Sequence, residues 1–312
     1  MLQFTRAGLS RSSKALILIL LLLSGCASLK DSYVEKFGSS VLRTVGLGPA
    51  TSVFSASEGM VKAAQEMSRE EEYYLGRAVA AQILSKYKRN EDPALNEYLN
   101  KLGLALAAFS EQPNTFGGYH FVLLESSELN AMAAPGGFIF ITSGMLKAMP
   151  DEDALASILA HEIVHVEKRH GIKSIKEENL TAALLALGEL GSSLACGPVM
   201  QQATAVFGAA VQDVVDTLLV KGYSRELEYE ADAGALVILD RTGYNPFSLK
   251  QALDVLDASF VNNHTGWFDT HPGNDERRER AIAFAGENNI LPDPVGVELR
   301  KRRFVKQIKS GQ

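Results

Sequence analysis

"DEDALASILAHEIVHVEKRH", residues 151–170, decides how the rest of the chain is read. Acids open it, apolar residues fill it, and no Pro or Gly interrupts it. The pattern predicts a long helix with Asp151 as its cap. The same stretch holds three of the chain's six histidines: His161, His165 and His170. His161 and His165 are four apart, so on a helix both imidazoles leave one face, one turn apart. Two neutral nitrogens placed this way reach one cation at about 2.0–2.1 Å, the distance zinc takes. Glu162 follows the first histidine and is angled toward a water at the metal rather than toward the metal itself. That is the H-E-x-x-H arrangement, in which the Glu takes a proton from the water. Ile158, Leu159, Ile163 and Val164 make the flanks apolar, as the floor of a cleft requires. His170 stands five residues past His165 and on an unbroken helix points about 140° away from it. The longer pattern H-E-x-x-H-x-x-G-x-x-H fails, because Lys168 holds its Gly place and Gly171 its last His place. His170 is therefore expected at the helix end, facing solvent or the helix dipole.

A further ligand has to come from elsewhere. "SRELEYEAD" (224–232) offers two acidic pairs on a predicted helix: Glu228 with Asp232 on one face, and Glu226 with Glu230 on another. Glu228 would bind the metal while Asp232, one turn on, accepts a hydrogen bond from the far nitrogen of a ligand imidazole. Acids decorating a solvated helix fit the spacing equally well.

Working outward, residues 68–88 read as a helix capped by Ser68, and 93–110 as a second one. Residues 119–126 read as a strand, and 133–144 as a loop, a strand at 138–142 and a turn. The strand in "GFIFIT" (137–142) is expected either at a sheet edge, where it pairs with an extended peptide, or in the sheet interior with no such role. Helices follow at 224–242, 247–259 and 274–286. The 178–220 stretch, rich in Ala and Gly, reads as a buried or lid-like helical insertion rather than a membrane hairpin. The fold class is α+β: a mainly helical zincin-like domain with a small sheet flanking the H-E-x-x-H helix.

Composition is that of an ordinary globular protein, with 312 residues and 46% hydrophobic content. A net charge of −6 gives no sign of nucleic-acid binding. The N-terminus differs from the rest. Arg6, Arg11 and Lys14 precede an apolar run at 15–25 that is short for a membrane span. Leu23, Ser24 and Gly25 before Cys26 resemble a bacterial lipobox. That resemblance implies a signal peptide over 1–25, a lipidated Cys26 held in a bilayer, and sorting to an outer membrane. An uncleaved anchor and an ordinary signal peptide are the other readings. Residues 26–57 then form a tether, 58–290 the enzyme domain and 291–312 a basic tail whose 300–309 stretch carries six cations. That run reads as a solvated face or as a contact with an anionic membrane surface. With Cys26 lipidated, Cys196 has no disulfide partner and reads as a buried inert thiol.

The combined motifs resemble the zinc metallopeptidase family of HtpX and the type 1 CAAX prenyl protease, closest to the single-domain periplasmic lipoproteins of the LoiP/BepA type. The residues that carry this are His161, Glu162 and His165, "NAMAAPGGFIFITSGML" (130–146), "YSRELEYEADAGAL" (223–236) and "THPGNDERRERA" (270–281). Ala134 departs from the Leu that many members place before Pro-Gly-Gly. The resemblance implies one Zn2+ per chain on His161, His165 and Glu228, with Glu162 as base and Asp232 orienting a histidine. It gives His271 and Arg277 a role at the site, as donors to an oxyanion, with an Arg277 staple of the C-terminal helix as the other reading. Similarity to BepA also implies that His271 occupies the open zinc position and holds the enzyme latent. Polypeptide substrates, misassembled envelope proteins among them, are the implied partners. His264 matches nothing and reads as a loop histidine.

Overall fold

The computed structural model describes residues 67–175, 179, 198–260, 266–271 and 274–310. The stretches expected as signal peptide and tether, Cys26, Cys196, His264 and part of the 178–220 stretch lie outside the described residues.

Helix α1 (Arg69–Lys86) starts at a capping box: Ser68 Oγ accepts from the Glu71 amide, and Glu71 accepts from the Ser68 amide at 2.7 Å. Helix α2 (Pro93–Ala107) is capped by Asp92, with Pro93 in its first turn. Strands β1 (His120–Leu124), β2 (Ala131–Ala134) and β3 (Phe138–Thr142) form one sheet of order β1-β3-β2. β3 runs parallel to β1 and antiparallel to β2. Both faces of the sheet are covered. Phe121, Leu123, Ala131, Ala133, Ile139 and Ile141 face the core built on α2. Leu124, Met132, Ala134 and Phe140 face a second core on α1. Two covered faces explain why the strands are apolar throughout instead of alternating.

This order settles the place of "GFIFIT". β3 is the central strand, and β1 and β2 are the two edge strands. Strand β2 escapes the sequence because "AMAA" is short and poor in β-branched residues. Its small side chains suit a site squeezed between two cores. Gly136 (φ 75°) and Gly137 (φ 105°) turn β2 back into β3. A Cβ on Gly136 would sit 2.7 Å from the Tyr73 backbone, so α1 packs directly on this turn.

Helix α3 (Ser143–Ala148) leads to α4 (Glu152–Glu167), whose cap is Asp151 accepting from the Ala154 amide at 2.9 Å. Every residue of α4 from Glu152 to Val166 is buried. A left-handed residue, Arg169 (φ 57°), ends it and starts the short α5 (His170–Lys173). Helix α6 (Pro198–Asp216) lays Ala210, Val211, Val214 and Val215 on the α1 core. Among the described residues no helix is long and apolar enough to cross a membrane. A π-turn at Thr217–Lys221 leads to α7 (Arg225–Thr242) and α8 (Ser248–Phe260), both packed on α4. Gly234 lets α7 approach α4 closely, since a Cβ there would lie 2.7 Å from Val164. The short α9 (Trp267–Thr270), α10 (Asn274–Glu287) and α11 (Val297–Ser310) complete the described chain.

The basic stretch of the tail lies in α11, with Phe304 in the main core. Arg300 pairs with Asp153 and Arg303 with Glu152, the two acids in the first turn of α4. Tyr98 and Tyr244 also donate to Glu152, at 3.0 and 2.8 Å. Burying these carboxylates is thereby compensated, and their charge complements the helix N-terminus.

Candidate metal centre

Helix α4 brings His161, Glu162 and His165 to the interior, and α7 brings Glu228 to the same point; all four are buried. The two Nε2 atoms of His161 and His165 lie 2.9 Å apart. Glu228 reaches across from α7, with Oε2 3.5 Å from His161 Nε2 and Oε1 3.6 Å from His165 Nε2. His271, just after α9, adds a fourth donor: one atom from each of the four side chains lies within 4.8 Å of the others.

Hydrogen bonds on the far side of the cluster fix how these groups are held. His161 Nδ1 lies 3.0 Å from Asp232 Oδ1, on the α7 turn after Glu228. Arg277, wholly buried on α10, donates to both Asp232 oxygens at 2.8 and 2.7 Å. Its Nη1 lies 3.0 Å from Glu228 Oε2 and donates to the His271 carbonyl at 3.5 Å. Every guanidinium nitrogen thus faces a protein partner. The guanidinium thereby joins two carboxylates of α7 to α10.

The charges respond to this packing. Burial alone would lower His161, but hydrogen bonds to Asp232 and Glu228 lift it to about 9. Burial opposes ionisation of Asp232, yet Arg277 and His161 hold it well below the usual carboxylate range. Burial lowers His165 and pushes His271 down to about 3. Burial also raises the Glu162 carboxyl to about 7, although His161 and Arg277 pull it back.

Glu162 is distinctive on α4. Glu152, Asp153 and Ser157 all have hydrogen-bond partners. Both oxygens of Glu162 have none, and the nearest ionisable neighbour is His271 Nε2 at 3.5 Å. Both Glu228 oxygens and His271 Nε2 also lack hydrogen-bond partners, although Glu228 Oε2 is ion-paired with Arg277. A buried carboxylate with no partner, such as Glu162, costs several kcal/mol, on the order seen for desolvated ions. The two carboxylates sit beside two imidazole nitrogens in near contact. A divalent cation between these donors would relieve both problems, and an imidazole–carboxylate set is one that zinc takes. The residues therefore fit a metal.

A model of peptidase family M48 matches residues 93–283, more than half of the chain. The chain belongs to peptidase family M48. Membership agrees with the enzyme class, zinc metalloendopeptidase, and with the α+β, mainly helical fold expected from the sequence. Among similar proteins is the beta-barrel assembly-enhancing protease of Escherichia coli (strain K12), 28% identical over 254 residues that make up 80% of this chain and 51% of that protein. The mitochondrial metalloendopeptidase OMA1 of Schizosaccharomyces pombe is 27% identical over 52% of this chain and 45% of its own length. The metalloprotease YcaL of Escherichia coli (strain K12) is 27% identical over 49% of this chain and 57% of its own. The chain spans about half the length of the curated relatives it matches.

Within this M48 site the sequence misplaced one residue and missed others. His170 does not face solvent: it is fully buried, with Nδ1 2.8 Å from His165 Nδ1 and Nε2 3.1 Å from Glu230 Oε2. Burial holds it down at about 4, against the pull of Glu230. The expected direction assumed an unbroken helix. The left-handed Arg169 resets the helix phase and swings His170 back under His165. Glu230, one of the acids of the second pair, is its partner. Two aromatic rings were not singled out. Tyr223 stacks on His165 with ring centres 4.3 Å apart, and Trp267 stacks on His271 at 3.8 Å. Thr270 Oγ1 lies 2.9 Å from His271 Nδ1, which leaves Nε2 aimed at the cluster. The only available signal for these aromatics was closeness in sequence to motif residues.

A larger cavity of about 620 Å³ lies elsewhere, lined by Tyr98, Lys101, Glu152, Tyr244 and Arg303. None of the metal-centre residues lines it. The space at the centre itself is narrow, bounded by Ala131, Met132, Ala133, Glu162, Tyr223 and His271.

Proposed function

We propose that the chain is a membrane-anchored zinc endopeptidase of the bacterial cell envelope, with one zinc ion held by His161, His165 and Glu228. The observation that carries this is Glu162: a buried carboxylate with no hydrogen-bond partner, beside the buried His161, His165, Glu228 and His271 cluster. Zinc, when bound, supplies a Lewis acid that makes a water more acidic and polarises the carbonyl under attack. Glu162 would accept a proton from the attacking water and return it to the departing amine nitrogen. Asp232 holds His161 by its Nδ1 proton, and Arg277 holds Asp232 and Glu228 in place. The edge strand β2, at the wall of the same narrow space, is the place for an extended substrate backbone. The substrates are unfolded or misassembled envelope proteins. This reading draws on the relatives named beta-barrel assembly-enhancing protease and on the lipobox-like stretch before Cys26, whose lipidation would tether the chain to the outer membrane, facing the periplasm.

The test is Glu162→Gln in the full chain. It is expected to bind zinc stoichiometrically, as wild type does, and to lose at least a hundredfold of casein cleavage, the scale of a general base. Cleavage at the wild-type rate by a zinc-loaded variant would sink the assignment.

A second reading is an assembly-assisting, chaperone-like lipoprotein whose protease activity is gated by His271. Its support is the position of His271 Nε2, within the ligand cluster and 3.5 Å from Glu162. His271→Ala is then expected to raise basal proteolysis several-fold. Unchanged or lower activity argues against gating.

A further inference from the structure

We infer that His170 and Glu230 form a two-step relay that fixes His165 as a metal ligand; this rests on the zinc reading above. Glu230 is a carboxylate and can only accept, so the His170 proton lies on Nε2 and is donated to Glu230 Oε2 across 3.1 Å. Neutral His170 then has only a lone pair at Nδ1. The 2.8 Å contact to His165 must run from His165 Nδ1–H to His170 Nδ1. His165 is left with its lone pair on Nε2, the atom facing His161 and Glu228. One carboxylate therefore sets the tautomer of two imidazoles in series. Among the described residues the other rings around His165 do not meet Nδ1 with a hydrogen bond: Tyr223 stacks on its face, and His161 and His271 stand edge-on to it.

The backbone is shaped for the task. A single left-handed residue, Arg169, turns the chain between the two histidines. Arg169 is tied to the buried Glu72 on α1 by a 2.9 Å ion pair, and it donates to the Met67 carbonyl. Glu230 is in turn 3.6 Å from Lys173 on α5. His170 touches neither the metal position nor a substrate; it is a positioning residue acting through His165.

The experiment measures zinc affinity by chelator competition on the full chain, together with the melting temperature of the metal-free protein. His170→Ala is expected to bind zinc ten- to a hundredfold more weakly, the loss seen when outer partners of ligand histidines are removed. His170→Asn puts an acceptor oxygen where Nδ1 stood, and should recover affinity to within about threefold of wild type on the same scale. Glu230→Gln keeps an acceptor for His170 but loses its charge. A loss of a few-fold is expected, with the metal-free melting point lowered by no more than about 4 °C. If His170→Ala does not fold, the part-exposed Glu230 pair, Glu230→Gln against Glu230→Ala, carries the test, and equal wild-type affinity in both overturns the relay. The relay is also overturned if His170→Ala binds zinc like wild type, or if Ala and Asn lose affinity equally. Wild-type protein that takes up no zinc would instead overturn the metal reading itself.

Discussion

His161 and His165 stand one turn apart on one helix, yet the protein holds them by opposite means. His161 leans on Asp232, a buried carboxylate clamped by the buried Arg277. His165 leans on a second imidazole, His170, and reaches a carboxylate, Glu230, whose side chain is 41% exposed. The first arm keeps its charges in the interior, where field strength is high and salt has little access. The second carries no charge in the interior and places its only carboxylate at the surface. One ligand is thus locked electrostatically to the C-terminal half of the domain through α10. The other is aligned by hydrogen-bond direction through a local turn. A ligand set needs both: charge to gather the donors, and direction to aim their lone pairs.

The largest effect should come from cutting the buried arm. Arg277→Met removes the guanidinium paired with both Asp232 and Glu228, and leaves His161 as their remaining partner at the centre. Two buried carboxylates then lose their guanidinium counter-charge, a loss of about 3–5 kcal/mol. For a domain of this size that lowers the melting temperature by roughly 6–20 °C. Thermal unfolding of the metal-free variant measures it. An unchanged melting point would mean that Asp232 and Glu228 are not held by Arg277, and the contrast between the two arms would collapse.

How much of this could be read from sequence follows from where each arm is encoded. The helix face of His161 and His165, the Asp151 cap and the spacing of Glu228 and Asp232 are local, periodic features, and they survive in the structure. Glu228 was distinguished from a solvated acid only by family resemblance, because spacing alone cannot say which face of α7 turns inward. In fact both faces are used: Glu228 and Asp232 point to the centre, while Glu230 serves His170. His170 was illegible for a sharper reason. One left-handed residue shifts every later side chain, and Arg169 is held there by Glu72, nearly a hundred residues earlier. Strand β2 is illegible because three alanines and a methionine give no alternation; they become a strand when β3 pairs with them between two cores. Arg277 was recognised at the site, but its partners were not, since which acids it meets depends on how α10 returns to α7.

The smallest effect should come from the surface end of the second arm, and its salt dependence separates the two arms most cleanly. Glu230 Oε2 lies 3.6 Å from Lys173, with side chains 41% and 50% exposed. Such a pair contributes about 0–1 kcal/mol, and salt screens it. Glu230→Gln should therefore lower the stability of the metal-free protein by less than about 1 kcal/mol in dilute buffer. In about 1 M salt, where the screening length falls to roughly 3 Å, the difference from wild type should shrink further. The deficit of Arg277→Met should persist at the same salt, because its partners are shielded from solvent and ions. Denaturant titration of both variants at low and high salt makes the comparison. Equal salt sensitivity in the two would show that the Asp232 arm is as open to solvent as the Glu230 arm, which its burial contradicts. A large salt-insensitive loss in Glu230→Gln would show instead that the carboxylate acts from the interior, through His170, on the stability of the whole α4 face.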